Sequence, residues 1–257
     1  MKKEELKFSD SNILEGMTSI SALLNSEPEI NDRRVLKILV DSSKRKSKSA
    51  EIGFLVAKSH AMGFPIEFTT ADEINSLAIG TSHGGILAFC TERTLKPLSM
   101  ASIEPNRFYV YMEGIEDPYN FGNALRSLYA AGVTGVVVPP RNWMSAAGVV
   151  ARASAGASER LPILVADADQ VSDLFHQAGY RVLCAGIRDS VSVFNANITY
   201  PVLLVIGGEK RGISRQILEK SDQIVRIDYG REFKGSLSAS ASAAVLAFEI
   251  MRQNQDR

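Results

Sequence analysis

Pro201–Ile213 reads PVLLVIGGEKRGI, and Gln223–Ala244 reads QIVRIDYGREFKGSLSASASAA. The first stretch is an apolar run, Val202–Ile206, that ends at Gly207-Gly208. A short apolar run stopped by glycine predicts a buried strand feeding a tight loop. The second stretch repeats this plan: a strand from Gln223, a glycine-bounded loop over Gly230–Gly235, then small residues that open a helix. Two strand ends, each followed by a glycine-rich loop, allow backbone to approach a ligand closely. Glu209, Lys210, Arg211, Arg231 and Lys234 lie in these loops. If the loops surround one site, its rim is positive.

The same rhythm extends upstream. Strands are expected over Phe108–Met112, Val133–Val138, Pro162–Ala166 and Arg181–Ala185, separated by helical patterns over 121–131, 145–155 and 167–178. Helices over 214–220 and 236–252 follow the two quoted strands. Apolar strands alternating with helices predict an α/β domain whose parallel sheet is covered on both faces. A smaller α/β unit precedes it. It has a helix over Ile13–Leu24 opened at Thr18 or Ser19, a strand over Val35–Val40, a helix over Glu51–Met62, a strand over Pro65–Thr69, a helix from Thr70 and a strand over Gly85–Cys90. Thr91–Asn106 holds two prolines and no clear period, as a linker would. The division is therefore 1–95, 96–106 and 107–257, with a polar arm over the first thirteen residues.

Of the 257 residues 45% are hydrophobic and 23% charged, the balance of a globular chain with a real core. With 29 basic and 29 acidic side chains the chain is not a basic nucleic-acid binder as a whole, although a local patch suffices for that role. Cys90 and Cys184 are far apart in apolar surroundings, which predicts buried free thiols. His60, His83 and His176 have no ligand spacing, so no metal is expected, and His83 before Gly84-Gly85 reads as a turn residue. The amino terminus lacks an apolar signal core, and no apolar run approaches the roughly 18 residues of a membrane span. Cytoplasmic residence without a membrane partner is the expectation.

The loop after the first strand of the larger unit carries neither a GxGxxG nor a phosphate-loop lysine motif. It leads instead into DPYNFGNALRS, Asp117–Ser127, with Asn120 as a candidate N-cap and Asn123 and Arg126 in the first turns. This is either a capped surface helix or a helix start that holds a phosphate, clamped by the arginine. Lys44, Arg45 and Lys46 form a basic loop that is either a solvated face or an RNA contact. Trp143 reads as a packed loop or subunit contact rather than a base-stacking residue.

DPYNFGNALRS, then ASAGASERLPI (Ala153–Ile163), VIGGEKRGI and SLSASASAAVLAFE occur in the order and approximate spacing of the SpoU/TrmH family of RNA ribose 2′-O-methyltransferases, which residues 105–255 resemble. Residues 13–24 (ILEGMTSISALL) and 76–89 (SLAIGTSHGGILAF) resemble that family's accessory RNA-binding domain, which is similar to ribosomal protein L30e. The resemblance implies a SPOUT α/β domain with a C-terminal trefoil knot, S-adenosylmethionine as cofactor, a homodimer, and ribosomal RNA in preference to tRNA as substrate. It implies catalytic roles for Asn120, Arg126, Glu209, Ser236 and Ser238, and cofactor contacts from Ile206, Gly207, Gly208, Gly212, Ile227, Tyr229 and Leu237. RNA contacts then fall to Lys44, Arg45, Lys46, Arg211 and Arg231. A guanidinium offers only donors, so Arg126 is better suited to gripping a phosphate and the 2′-oxygen than to removing a proton, with Asn120 and Glu209 fixing it. Two features depart from the family. Ser238 stands where its asparagine is usual, and Ile227 is followed by Asp228-Tyr229 rather than Pro-Met in a loop that is one residue longer. Both bear on substrate positioning, and Ser238 favours the alternative of a non-catalytic RNA-binding protein that kept the fold.

Overall fold

A computed structural model describes residues 12–115 and 117–255. Apart from its last two residues, the expected polar arm lies outside the described part. In chain order the elements are β1 (Ile13–Glu15), α1 (Gly16–Leu24), β2 (Val35–Asp41), α2 (Ser49–Met62), β3 (Ile66–Thr69), α3 (Ala71–Leu77) and β4 (Ile86–Cys90). Then come β5 (Lys96–Pro97), β6 (Phe108–Glu113), α4 (Pro118–Ala130), β7 (Gly135–Val138), α5 (Ala147–Ala153) and α6 (Ala157–Arg160). The last are β8 (Ile163–Val165), α7 (Ala168–Gln177), β9 (Arg181–Ala185), β10 (Val191–Ser192), β11 (Val202–Gly207), α8 (Arg215–Leu218), β12 (Gln223–Arg226) and α9 (Ala239–Asn254).

Two compact units result. One runs to Thr94 and includes Trp143–Arg160; the other comprises Leu95–Asn142 and the chain from Leu161 onward. In the first, the sheet order is β1-β4-β2-β3, with β1 and β2 antiparallel to β4 and β3 parallel to β2. Leu14, Ile20, Ile38, Leu55 and Ile86 are fully buried in its core. Each such side chain contributes roughly 1.5–3 kcal/mol by leaving water. The helix expected over Ile13–Leu24 starts three residues late. Ile13–Glu15 pairs with β4 instead, and Thr18 and Ser19 sit inside α1 rather than capping it. Three residues are too few for a periodicity to separate strand from helix.

Trp143–Arg160 joins this first unit through specific contacts. Ala151 enters its core, and the turn at Gly156 (φ +82°) packs so tightly on α1 that a Cβ there would lie 2.5 Å from that of Ala22. Arg152 bonds Glu15 at 2.7 Å. Glu159 is fully buried beside Arg33 at 3.4 Å and accepts from Asn31 at 2.8 Å. Within the ASAGASERLPI block, Gly156 and Glu159 thereby have structural tasks in the first unit.

The second unit is an eight-stranded sheet in the order β10-β12-β9-β11-β6-β7-β8-β5, parallel at every pair. β11 lies between β6 and β9, with Val202 opposite Phe108 on one side and Arg181 on the other. Val202–Ile206 are at most 2% exposed, which is why this strand is apolar throughout rather than alternating. The stretch expected to be a linker is in part structural. Lys96–Pro97 is the edge strand beside β8, and a proline is tolerated there because an edge position leaves its missing N–H without a required partner. β10, only two residues long, has no signal in the sequence.

Candidate functional site

The carboxyl ends of β9, β11 and β12 open onto a cavity of about 330 Å³. Strand ends of a parallel sheet commonly form the ligand crevice of open α/β folds. One wall is Ile206, Gly207, Gly208 and Glu209; another is Val225–Ile227 with Tyr229; Ser236, Leu237 and the first turns of α9 close it. The β11 loop is folded tightly on itself. Gly212 (φ +66°) donates its N–H to the Gly208 carbonyl at 2.9 Å. A Cβ on Gly207 would fall 2.2 Å from the carbonyl carbon of Gly212, and one on Gly208 would fall 1.8 Å from the Gly114 oxygen. The contacts are backbone on backbone, so glycine alone fits, and bare peptide groups line the wall.

Glu209 ties the site together. Its Oε1 accepts from Asn120 Nδ2 at 3.1 Å and from the Ala239 N–H at 3.3 Å. A carboxylate at the first turn of α9 complements the helix dipole. Asn120 is therefore not the cap of α4. Asp117 is, accepting from the Tyr119 N–H at 2.9 Å, with Pro118 in the first helical position. The fixed φ of Pro118 suits a first helical position, so the helix starts three residues before Phe121 and Asn120 falls inside its first turn. Arg126 is exposed on α4 and is joined to neither Asn120 nor Glu209 among the described contacts. The arrangement in which these two fix the arginine is not the one observed.

Ser236 lines the cavity; Ser238 does not. Ser238 is the N-cap of α9, its Oγ accepting from the Ala241 N–H at 3.2 Å and lying 3.0 Å from Ser240 Oγ. Tyr229, half-exposed at the cavity edge, accepts the Leu237 N–H at 3.2 Å. The expected RNA-binding residues Lys44, Arg45, Lys46, Arg211 and Arg231 are all exposed, and the Arg45 guanidinium lies 3.7 Å from the Phe68 ring centre. Sequence reasoning missed Ala185–Arg188 and the α9 residues Ser242 and Leu246 as cavity walls. It also missed the pair of Arg226 and Asp228 at 2.8 Å. Hydrogen bonds from Ser192 and Arg226 hold the Asp228 carboxyl below the usual range. Their spacing, i and i+2 at a strand end, was the available signal.

Residues 107–248, the span that holds the whole cavity, match the SpoU rRNA methylase family. The chain belongs to that family. A 23S rRNA (guanosine-2′-O-)-methyltransferase, RlmB, of Shewanella oneidensis is 26% identical over 262 residues, covering 99% of this chain and all of that protein. The protein of the same name from Coxiella burnetii is 25% identical over 93% of this chain and 95% of its own length. The AdoMet-bound rRNA methyltransferase from Sinorhizobium meliloti superposes with a TM-score of 0.77 over 94% of this chain and 87% of that one, at 20% identity, a likeness of fold. For a SpoU methylase the cavity is of suitable size, since small-molecule sites run from roughly 300 Å³ upward. Its mixture of bare peptide groups at Gly207–Gly208 with Ile206, Ile227 and Leu237 suits a ligand that is part polar and part apolar, as S-adenosylmethionine is. Among the described residues no cluster of His, Cys, Asp and Glu could hold a metal ion, and no helix is long and apolar enough to cross a membrane.

Proposed function

We propose that this chain transfers the methyl group of S-adenosylmethionine to a ribose 2′-hydroxyl of structured RNA, with ribosomal RNA favoured over tRNA. The observation that carries the reading is the cavity at the ends of β9, β11 and β12, walled by peptide groups that only glycine leaves bare. When bound there, the cofactor supplies an electrophilic methyl on a cationic sulfur. The chain's own work is to hold, orient and keep dry. Ile206, Ile227, Leu237 and Tyr229 enclose the apolar parts, Gly207, Gly208 and Gly212 offer backbone donors and acceptors, and water is excluded from the reacting atoms. Glu209 and Asn120 brace the cavity wall against α4 and α9. Arg126, exposed and free to reach outward, binds a phosphate beside the target ribose and stabilises charge on the 2′-oxygen.

Lys44, Arg45, Lys46, Arg211 and Arg231 contact the RNA backbone, and the first unit serves as an L30e-like RNA-binding domain. The knot and the homodimer implied by the family belong to the same reading. Tyr119 and Tyr129 on α4 and Phe248 on α9 are exposed aromatics on two helices packed together, a face that suits a second copy. Cytoplasmic residence goes with an RNA substrate. Ser238, the residue that favoured a non-catalytic protein, has a structural task of its own as a helix cap.

Calorimetric titration with S-adenosylmethionine, followed by mapping of ribose methylation in RNA from cells with and without the gene, tests the proposal. Binding and one lost methylation mark are expected; absence of both overturns it. Arg126→Ala is expected to abolish methylation with cofactor affinity unchanged, and full activity would remove Arg126 from the mechanism.

A further inference from the structure

Between β12 and α9 the chain reads IDYGREFKGSL, a loop in which the family pattern is replaced and lengthened. Phe233 at its centre is 57% exposed. A large exposed apolar ring held in place is more informative than one that is merely exposed, and this ring is held on two sides. It meets Tyr229 edge to face, with centroids 5.7 Å apart and an interplanar angle of 61°. It also lies on the backbone of Gly235, where a Cβ would come within 2.6 Å of the Phe233 ring. Tyr229 is fixed in turn by the Leu237 N–H and lines the cofactor cavity. The ring is thus coupled through one neighbour to the cavity edge while its outer surface stays in water. Arg231 and Lys234 flank it in sequence; both are exposed, and among the described residues neither forms an ion pair.

We propose that Phe233 is a stacking platform for an unpaired RNA base beside the cofactor cavity, with Arg231 and Lys234 receiving the phosphates on either side of that nucleotide. The proposal names how the substrate of the methyltransferase reading is seated and rests on that reading. An unpaired base has two π-faces that must be covered, and aromatic side chains are the usual cover in single-stranded recognition. A preheld ring loses little freedom on binding, so most of the stacking energy appears as affinity. The flanking cations carry no base information but fix the register of the strand. A double-stranded segment cannot use this surface, because its bases are already stacked on each other. The platform therefore selects a loop, bulge or end.

The test compares wild type, Phe233→Ala, Phe233→Leu and Phe233→Trp in the full chain. The probes are a single-stranded uridine oligonucleotide and a transcript of ribosomal RNA, with binding read by fluorescence anisotropy, methylation kinetics read on the transcript, and S-adenosylmethionine binding read by calorimetry. Phe233→Ala and Phe233→Leu are expected to weaken RNA binding and raise its KM roughly ten-fold or more, while cofactor Kd stays within about two-fold and Phe233→Trp restores RNA affinity. Arg231→Ala and Lys234→Ala are each expected to lower the slope of log Kd against log salt by about 0.7–0.9. Phe233→Leu with wild-type RNA affinity and KM overturns the platform, since leucine keeps apolar bulk without a π-face. A wild-type protein that binds RNA through Phe233 but never binds the cofactor overturns the methyltransferase reading and leaves the platform standing. Wild-type protein that binds neither RNA overturns the platform.

Discussion

Gly208→Ala tests the geometry of the cavity at its tightest point. The added methyl would sit 1.8 Å from the Gly114 carbonyl oxygen and 2.5 Å from its carbon. Carbon and oxygen approach no closer than roughly 3.3 Å without repulsion, so the two loops must separate by about 1.5 Å. Neither is free to do so cheaply. The loops leave the ends of β6 and β11, which are paired in parallel up to Glu113 and Gly207. Gly208 is held again by the Gly212 N–H at 2.9 Å. Overpacking of side chains costs about 1–3 kcal/mol, and a backbone-on-backbone clash falls at the upper end or beyond. Because Gly208 also lines the cavity, the same displacement is expected to weaken S-adenosylmethionine binding about ten-fold or more, equivalent to about 1.4 kcal/mol. Guanidinium unfolding and calorimetric titration measure the two effects separately. Gly53→Ala is the matched control. Gly53 is exposed within α2 with nothing within 4 Å of a new Cβ, so alanine there is expected to stabilise by about 0.5–1 kcal/mol. A Gly208→Ala protein with wild-type midpoint and cofactor Kd would refute the close approach and the cavity wall built on it.

Ser238→Ala is expected to cost about 1 kcal/mol by removing the cap of α9, whereas Ser238→Asn keeps a capping acceptor and should melt close to wild type; methylation by the asparagine variant then reports what the family's usual residue adds. Glu159→Ala leaves Arg33 buried without this carboxylate and removes one of the two acceptors Glu159 gives Asn31, and a loss of about 3–5 kcal/mol in unfolding free energy is expected; a change under about 1 kcal/mol would contradict the buried pair. Burial pushes both the Cys90 and the Cys184 thiol up to about 12, so neither should react with a disulfide reagent at pH 8 in the folded protein and both should react after unfolding. Their contribution to stability is complete below the unfolded thiol value, about 8.5, and is lost as pH rises toward about 12, because only the unfolded chain can release those protons.

The strands of the large sheet were legible because both faces are covered: Val202–Ile206 and Phe108–Met112 had to be apolar at every position, and such runs are hard to mistake. The cavity loops were legible for the same kind of reason, since few features besides close backbone approach at 207 and 208 and a left-handed backbone at 212 require glycine. What was not legible depends on partners distant in sequence. Ile13–Glu15 became a strand only because β4, some seventy residues on, offered it an edge. Lys96–Pro97 became one only beside β8. Asn120 read as a cap from its local position, yet Asp117 with Pro118 next to it wins that role, which frees the Asn120 amide for a bond 89 residues away.

That bond changes what the site residues do together. On the sequence, Asn120 and Glu209 were assigned to Arg126, three polar groups serving one catalytic step. In the structure the carboxylate of Glu209 is already engaged by Asn120 and by the first turn of α9, while Arg126 points to solvent. Glu209 therefore acts as a joint between α4, the β11 loop and α9, three elements brought together only by the finished fold. Two physical consequences follow. Neutralising Glu209 removes a charge-assisted acceptor from both partners, so it should loosen the cavity wall and the start of α4 together. Arg126, exposed and without a carboxylate to hold it, keeps its whole donor fork for an incoming phosphate. In the proposed mechanism it is the RNA phosphate, arriving from solution, that completes the site and orders the arginine.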